Sequence, residues 1–298
     1  MLALTAKEIN MDKKVWLITG ASKGFGLAFT KAALADGNLV VAAARHTEPL
    51  EALKGEYPEK YGRIDVLVSN AGHLHKSVFE DTTEEEMRRE FEVNYFGSVN
   101  VIQAALPHMR KQGGGRLIQT TSVAGLISFG FGSTYHASKF ALEGMLDNLS
   151  RELRGTGISV TAFEPGSFRT DLMNVSTLGE NVSDDYKAAF EKFVAGGIAN
   201  DAAGEDPEAA AEVLMKVVKA DKPPRHILIG KGLIPMMEKE YGRKIDEWKA
   251  WDWEKQKSGY SSINCRTVRK VASVRATVSS QPHIQFMSMW ACPVRKSL

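Results

Sequence analysis

Tyr135 and Lys139 stand four residues apart in "STYHASKFALEG", on one face of any helix that contains them. A free phenol has a pKa of about 10, so it is a poor proton carrier at neutral pH until a neighbouring cation favours its ionised form. Lys139 can be that cation. Far upstream, "LITGASKGFGLAFTKAAL" sets Thr19, Gly20, Gly24 and Gly26 in a turn between an apolar strand and a helix. Glycines there let the backbone approach a diphosphate, whose charge the amides at the helix N-terminus stabilise. Lys23 lies inside that turn and Arg45 ends the next strand, where an acidic side chain would hold the free hydroxyls of NAD. Two cations suit a 2′-phosphate instead, which favours NADP.

The elements that must carry these residues alternate between β-rich runs and helical patterns. Strands are expected at 15–20, 39–44, 64–70, 116–122, 158–165 and 226–230, several of them apolar almost throughout, as strands covered on both faces should be. Between them a helix over 25–36 ends at Gly37, and Thr83 with Glu86 offers a capping box. A further helix over 135–154 stops at Gly155. Asp206 and Pro207 open another, with Ala210, Val213, Leu214, Val217 and Val218 on one face. The alternation predicts a single domain built on a doubly wound parallel sheet.

Taken together, Thr19-Gly20-x-x-x-Gly24-x-Gly26, Asn70-Ala71-Gly72, Asn94, Ser122, Tyr135-x-x-x-Lys139 and Pro165-Gly166 with Thr170 resemble the short-chain dehydrogenase/reductase family in order and, after Asn70, in spacing. The resemblance covers roughly residues 13–256. It implies a Rossmann-like sheet carrying NADP across the carboxyl ends of its strands, and hydride exchange with a carbonyl or alcohol. By that likeness Tyr135 exchanges the proton, Ser122 hydrogen-bonds the same substrate oxygen, Lys139 holds the nicotinamide ribose and tunes Tyr135, and Asn94 anchors a water in the proton relay. Ser22, Lys23 and Phe25 in the glycine turn, Arg45, and Asn70, Ala71 and Gly72 on the cofactor-side wall join the nucleotide site. So do Pro165, Gly166 and Thr170, the last near the nicotinamide end.

Residues 43–72 depart from the family pattern. The family fits two further strands with their helices between the glycine turn and Asn70, whereas this chain has "LVVAAA" and one helical stretch at about 48–60. About one βα unit, on the order of 30 residues, is missing. The strand at 39–44 becomes the sheet edge, with unpaired backbone groups that invite self-association. The adenine loses one wall, so weak cofactor binding is expected, and a catalytically silent nucleotide-binding protein is the alternative to an enzyme. A sugar-nucleotide epimerase is a third reading, against which the glycine spacing argues.

Tyr186, Ala189, Phe190, Phe193 and Val194 make an apolar stripe, with Phe168, Leu172 and Met173 ahead of it, in a segment that closes over substrate in similar proteins. If it does so here, the substrate is mainly apolar. Net charge is +2, which gives no argument for nucleic acid. The basic side chains Arg266, Arg269, Lys270, Arg275, Arg295 and Lys296 have no acidic partner in 261–298, so the stretch carries +6 and the remainder −4. Cys265 and Cys292 also lie there, which leaves no disulfide framework or zinc spacing, and no metal is expected. A leader at 1–12, a poorly ordered basic tail at 257–298, no membrane span and a cytoplasmic location complete the expectation.

Overall fold

In the computed structural model of the chain, residues 13–46, 48, 62–170, 172, 176–179 and 181–253 are described. The expected helix at 48–60, the leader, Met173 and the basic tail lie outside those residues, Glu48 apart. The chain divides into two units, 1–238 and 239–298, with the break inside the last helix.

Along the chain run β1 (Val15–Thr19), α1 (Gly24–Ala35), β2 (Leu39–Ala43), β3 (Val66–Ser69), β4 (His75–Lys76), α2 (Glu84–Phe91), α3 (Gly97–Lys111), β5 (Gly115–Thr120) and α4 (Ser133–Glu152). There follow β6 (Ile158–Pro165), β7 (Thr177–Leu178), α5 (Asp184–Ala202), α6 (Pro207–Lys219), β8 (His226–Ile229) and α7 (Leu233–Ala250). Six strands form one sheet in the order β2-β1-β3-β5-β6-β8, and each neighbouring pair is parallel. β4 and β7 pair separately, His75 with Thr177 and Lys76 with Leu178.

Side chains alternate across a strand, so the sheet has two faces to cover. Val66, Val68, Ile118 and Phe163 pack with Ala28, Phe29 and Ala33 of α1 and Ala210, Ala211, Leu214 and Val218 of α6. Leu67, Leu117, Val160 and Ala162 pack on the other side with Ile102, Ala105 and Met109 of α3 and Leu146 of α4. Two helix layers around one parallel sheet make the doubly wound architecture that the alternating sequence predicts. β2 is the end strand among the described residues, as the short connection requires, and Val41 on it is 39% exposed.

Local chemistry sets the boundaries. Thr83 accepts from the Glu86 amide at 3.2 Å while Glu86 accepts from the Thr83 amide at 2.8 Å, the full capping box of α2. Asp206 caps α6 through the Glu208 amide, with Pro207 at its first position. β5 is shorter than the apolar run suggests, because after Thr120 the chain bends into a 3-10 turn, Val123–Gly125, capped by Ser122. In the second unit, residues 239–250 continue α7 with Arg243 paired to Glu240 and Glu247.

Candidate active site

The carboxyl ends of β1, β3 and β5 are tied together by one side chain. Asn70, just past β3, donates from Nδ2 to the Thr19 carbonyl at 3.1 Å, and its Oδ1 accepts from the Thr120 hydroxyl at 3.1 Å. The Thr19 hydroxyl in turn accepts from the amides of Asn70 and Ala71 at 2.9 and 3.1 Å. This rigid floor is where ligands meet a doubly wound sheet.

The glycine turn rises from it. Gly24 takes a φ of 53°, which a side chain resists, and a Cβ there would lie 3.1 Å from the Thr170 carbonyl. At Gly26 a Cβ would overlap the Gly20 carbonyl oxygen. Lys23 sits at the N-cap of α1 without a side-chain capping bond. Phe25 faces away from the turn and packs on Phe29 and Phe168 at ring-centroid distances of 5.7 and 5.1 Å. Phe168 is therefore a core residue, 4% exposed, and not part of an apolar lid. Lys23 and Arg45 are exposed, Ser22 is half-buried, and Pro165 is buried at the end of β6 beside half-buried Gly166. Thr170 stands against Gly24, at the turn itself.

A second set converges from α4 and its neighbours. Tyr135 is 9% exposed and Lys139 4%. Ser122 stands near enough to Tyr135 to favour its ionised form, its own hydroxyl accepting from the Ala124 amide at 3.1 Å, and the Lys139 ammonium lies 5.7 Å from the centre of the Tyr135 ring while donating to the Thr120 carbonyl at 3.3 Å. A Cβ on Gly72 would come within 3.7 Å of Lys139 Nζ and 3.6 Å of Asn94 Oδ1, so this turn reaches the same place. Asn94 lies fully buried in a single π-helical turn, Glu92–Phe96, a feature common at functional sites.

A family model described as short chain dehydrogenase matches residues 48–181. Oxidoreductase BOA17 of Botryotinia fuckeliana is 32% identical over 261 residues, covering 78% of this chain and 93% of the relative. The chain belongs to the short-chain dehydrogenase family. A second relative, oxidoreductase YusZ of Bacillus subtilis, is 31% identical over 81% of this chain and 97% of its own length. A short-chain dehydrogenase of known structure from Streptomyces avermitilis matches 83% of this chain and 99% of its own at 32% identity, with a TM-score of 0.72. The chain is thus an oxidoreductase of a family acting on CH–OH groups, built on a Rossmann nucleotide-binding fold.

Electrostatics depart from the expectation that Lys139 depresses Tyr135. Burial pushes the Tyr135 phenol up to about 12; Ser122 opposes this and the Glu90 charge adds to it. Removing water from around a phenolate costs more here than the neighbours return. Burial likewise holds Lys139 down to about 8, against the pull of Glu90 and Glu143.

Glu90 is the residue that sequence reading missed. It is fully buried, accepts from Asn94 Nδ2 at 2.9 Å and lies 2.8 Å from His73 Nδ1. Asn94 also accepts from the His73 amide at 2.7 Å and donates towards the His73 carbonyl and Ser138, so protein groups take both its polar side-chain atoms. The one available signal was spacing: Glu90 precedes Asn94 by four residues, one helical turn.

The apolar neighbours of Tyr135 are Leu74, Ala124 and half-buried Leu172. Of the predicted stripe only Phe190 is buried, packed on Phe131 at 5.6 Å, with Phe193 on the same ring at 5.4 Å. Tyr186 is 37% exposed. Among the described residues, no helix is long and apolar enough to cross a membrane.

Proposed function

We propose that this protein transfers hydride between NADP(H) and a mainly apolar ketone or secondary alcohol, with Tyr135 as the proton carrier. The observation that carries the reading is the buried Tyr135, near Ser122, set beside Lys139 and bordered by Leu74, Ala124 and Leu172. The glycine turn fits a dinucleotide, because Gly24 and Gly26 let the backbone close tightly at the start of α1 and the N-cap residue Lys23 leaves the first amides uncapped by its side chain. Exposed Lys23 and Arg45 supply the charge that a 2′-phosphate needs.

Bound NADPH supplies the hydride at the carbonyl carbon. Tyr135 and Ser122 hydrogen-bond the carbonyl oxygen, and as negative charge grows on that oxygen the Tyr135 proton crosses to it. Because burial keeps the phenol protonated at neutral pH, Tyr135 is held in the form that reduction requires. The resulting phenolate, stabilised meanwhile by the nearby Lys139 ammonium, recovers its proton from solvent before the next turnover. Asn94 acts as a positioning residue, holding His73 and the π-turn. A catalytically silent protein would have no use for this buried proton donor, so the enzyme reading is preferred.

The test is NADPH oxidation by the purified chain with a panel of aliphatic, aromatic and polycyclic ketones. Tyr135→Phe should keep NADPH binding and lose roughly 100- to 10,000-fold in turnover. Turnover near the wild-type rate in that variant would refute the role.

A further inference from the structure

One turn along α4 from Lys139, three side chains from distant parts of the sequence converge. One ligand atom from each of Glu143, Glu164 and His226 lies within 4.8 Å of the other two. His226 Nδ1 is 2.8 Å from Glu164 Oε1 and 3.6 Å from Glu143 Oε2, while its other nitrogen, Nε2, lies 3.0 Å from Asp147 Oδ1. Glu164 is 2% exposed and Glu143 8%. Both carboxylate oxygens of Glu143 are sealed from solvent, and among the described residues neither accepts a hydrogen bond of ordinary geometry, although Thr121, Glu164 and the His226 ring lie close by. A buried carboxylate short of good hydrogen bonds is costly, and a second one beside it raises the cost. The His226 ring is 40% exposed, which leaves an approach from solvent.

We propose that Glu143, Glu164 and His226 bind a zinc-class divalent cation. An ion set among the three ligand atoms would give the buried Glu143 carboxylate the strong partner it lacks. Zinc bonds of about 2.0–2.2 Å in tetrahedral geometry set ligand atoms about 3.4 Å apart. The 3.6 Å separation is already close to that, and the 2.8 Å one opens with a small rotation of the half-exposed imidazole. Asp147 on Nε2 supplies the carboxylate that metal-bound histidines usually carry on their second nitrogen, fixing the ring with Nδ1 towards the ion. One nitrogen and two oxygens with a position left for water favour zinc over magnesium or calcium. The ion would pin α4, which carries Tyr135 and Lys139, to β6 and β8. Ligands at 143, 164 and 226 follow no sequence spacing, which is why the absence of cysteine and histidine motifs predicts no metal.

The rival account is a proton shared between the two glutamates beside a charged His226, with no affinity for metal. Calorimetric titration of the full-length chain with zinc chloride after chelator treatment separates the two. The Cys265→Ser/Cys292→Ser double variant serves as the background, so that free thiols contribute nothing. One saturating site per chain with a Kd of roughly 1 µM or tighter is expected, with Tm rising by about 5 °C at a hundredfold excess over Kd. Glu143→Gln and His226→Ala should each weaken binding at least about tenfold. Cobalt(II) added to the unsubstituted ligand set should give visible absorption of a four-coordinate site, a readout that does not need either variant to fold. Failure to saturate below about 100 µM zinc, or unchanged isotherms in both variants, would overturn the proposal.

Discussion

The α-carbon of Gly26 faces the Gly20 carbonyl so closely that no side chain fits between them. This contact locks the start of α1 against the end of β1 and sets the height of the glycine turn above the sheet. Gly26→Ala must push the helix outward, at a cost of about 1–3 kcal/mol for overpacking. A lowered denaturation midpoint and weaker NADPH binding should appear together. A variant as stable as wild type would mean that the turn has room to relax.

Glu90 adjusts a proton chemistry that burial sets first. A buried carboxylate near Tyr135 and Lys139 disfavours the phenolate and favours the ammonium, raising both pKa values. Glu90→Gln removes that charge, so both values fall. Alcohol oxidation needs the phenolate, and its rate therefore climbs with pH towards the Tyr135 pKa. In the variant this limb should move to lower pH, and the fall in ketone reduction should begin at lower pH too. Profiles of kcat/KM in both directions check the sign; a shift to higher pH would refute the assignment.

Strands β1, β2, β3, β5, β6 and β8 were legible because each is a short apolar run between turn residues, and a parallel sheet buries both faces. The caps of α2 and α6 were legible residue by residue. Helix α3 was not, since Pro107 in its interior reads as a break, yet packing of Ile102, Ala105 and Met109 holds the helix through it. Two-residue strands such as β4 and β7 are too short for any periodicity. Within the site, Tyr135, Lys139, Ser122 and Asn94 carry recognisable spacing, whereas Glu90 and the Glu143–Glu164–His226 cluster depend on tertiary convergence. Phe168 marks a further limit: its place among the apolar residues ahead of α5 left core and substrate wall both open, and its ring belongs to the core.

Arg45 should discriminate between cofactors. It is exposed just past β2, and Arg45→Asp places a carboxylate where a 2′-phosphate would bind. NADPH affinity should fall by roughly 10- to 100-fold, while NADH changes little. Fluorescence titration with both cofactors measures the ratio, and equal losses would remove Arg45 from phosphate recognition.

The end of the sheet at β2 has consequences for assembly. Val40 points into the core beside Phe29, while Val41 on the opposite face is 39% exposed, and among the described residues β2 pairs on one side alone, with β1. An edge of this kind offers backbone donors and acceptors together with apolar cover to a second chain. The unmodified protein should therefore associate in a concentration-dependent way. Val41→Lys puts a charge on that edge without touching Val40, and at an exposed position its effect on folding should stay within about 0.5 kcal/mol. Sedimentation velocity across a concentration series should show the association weakened while NADPH oxidation per chain is retained. If the variant associates as strongly as the parent, contact occurs through another surface. If both are monomeric throughout, the β2 edge is already protected.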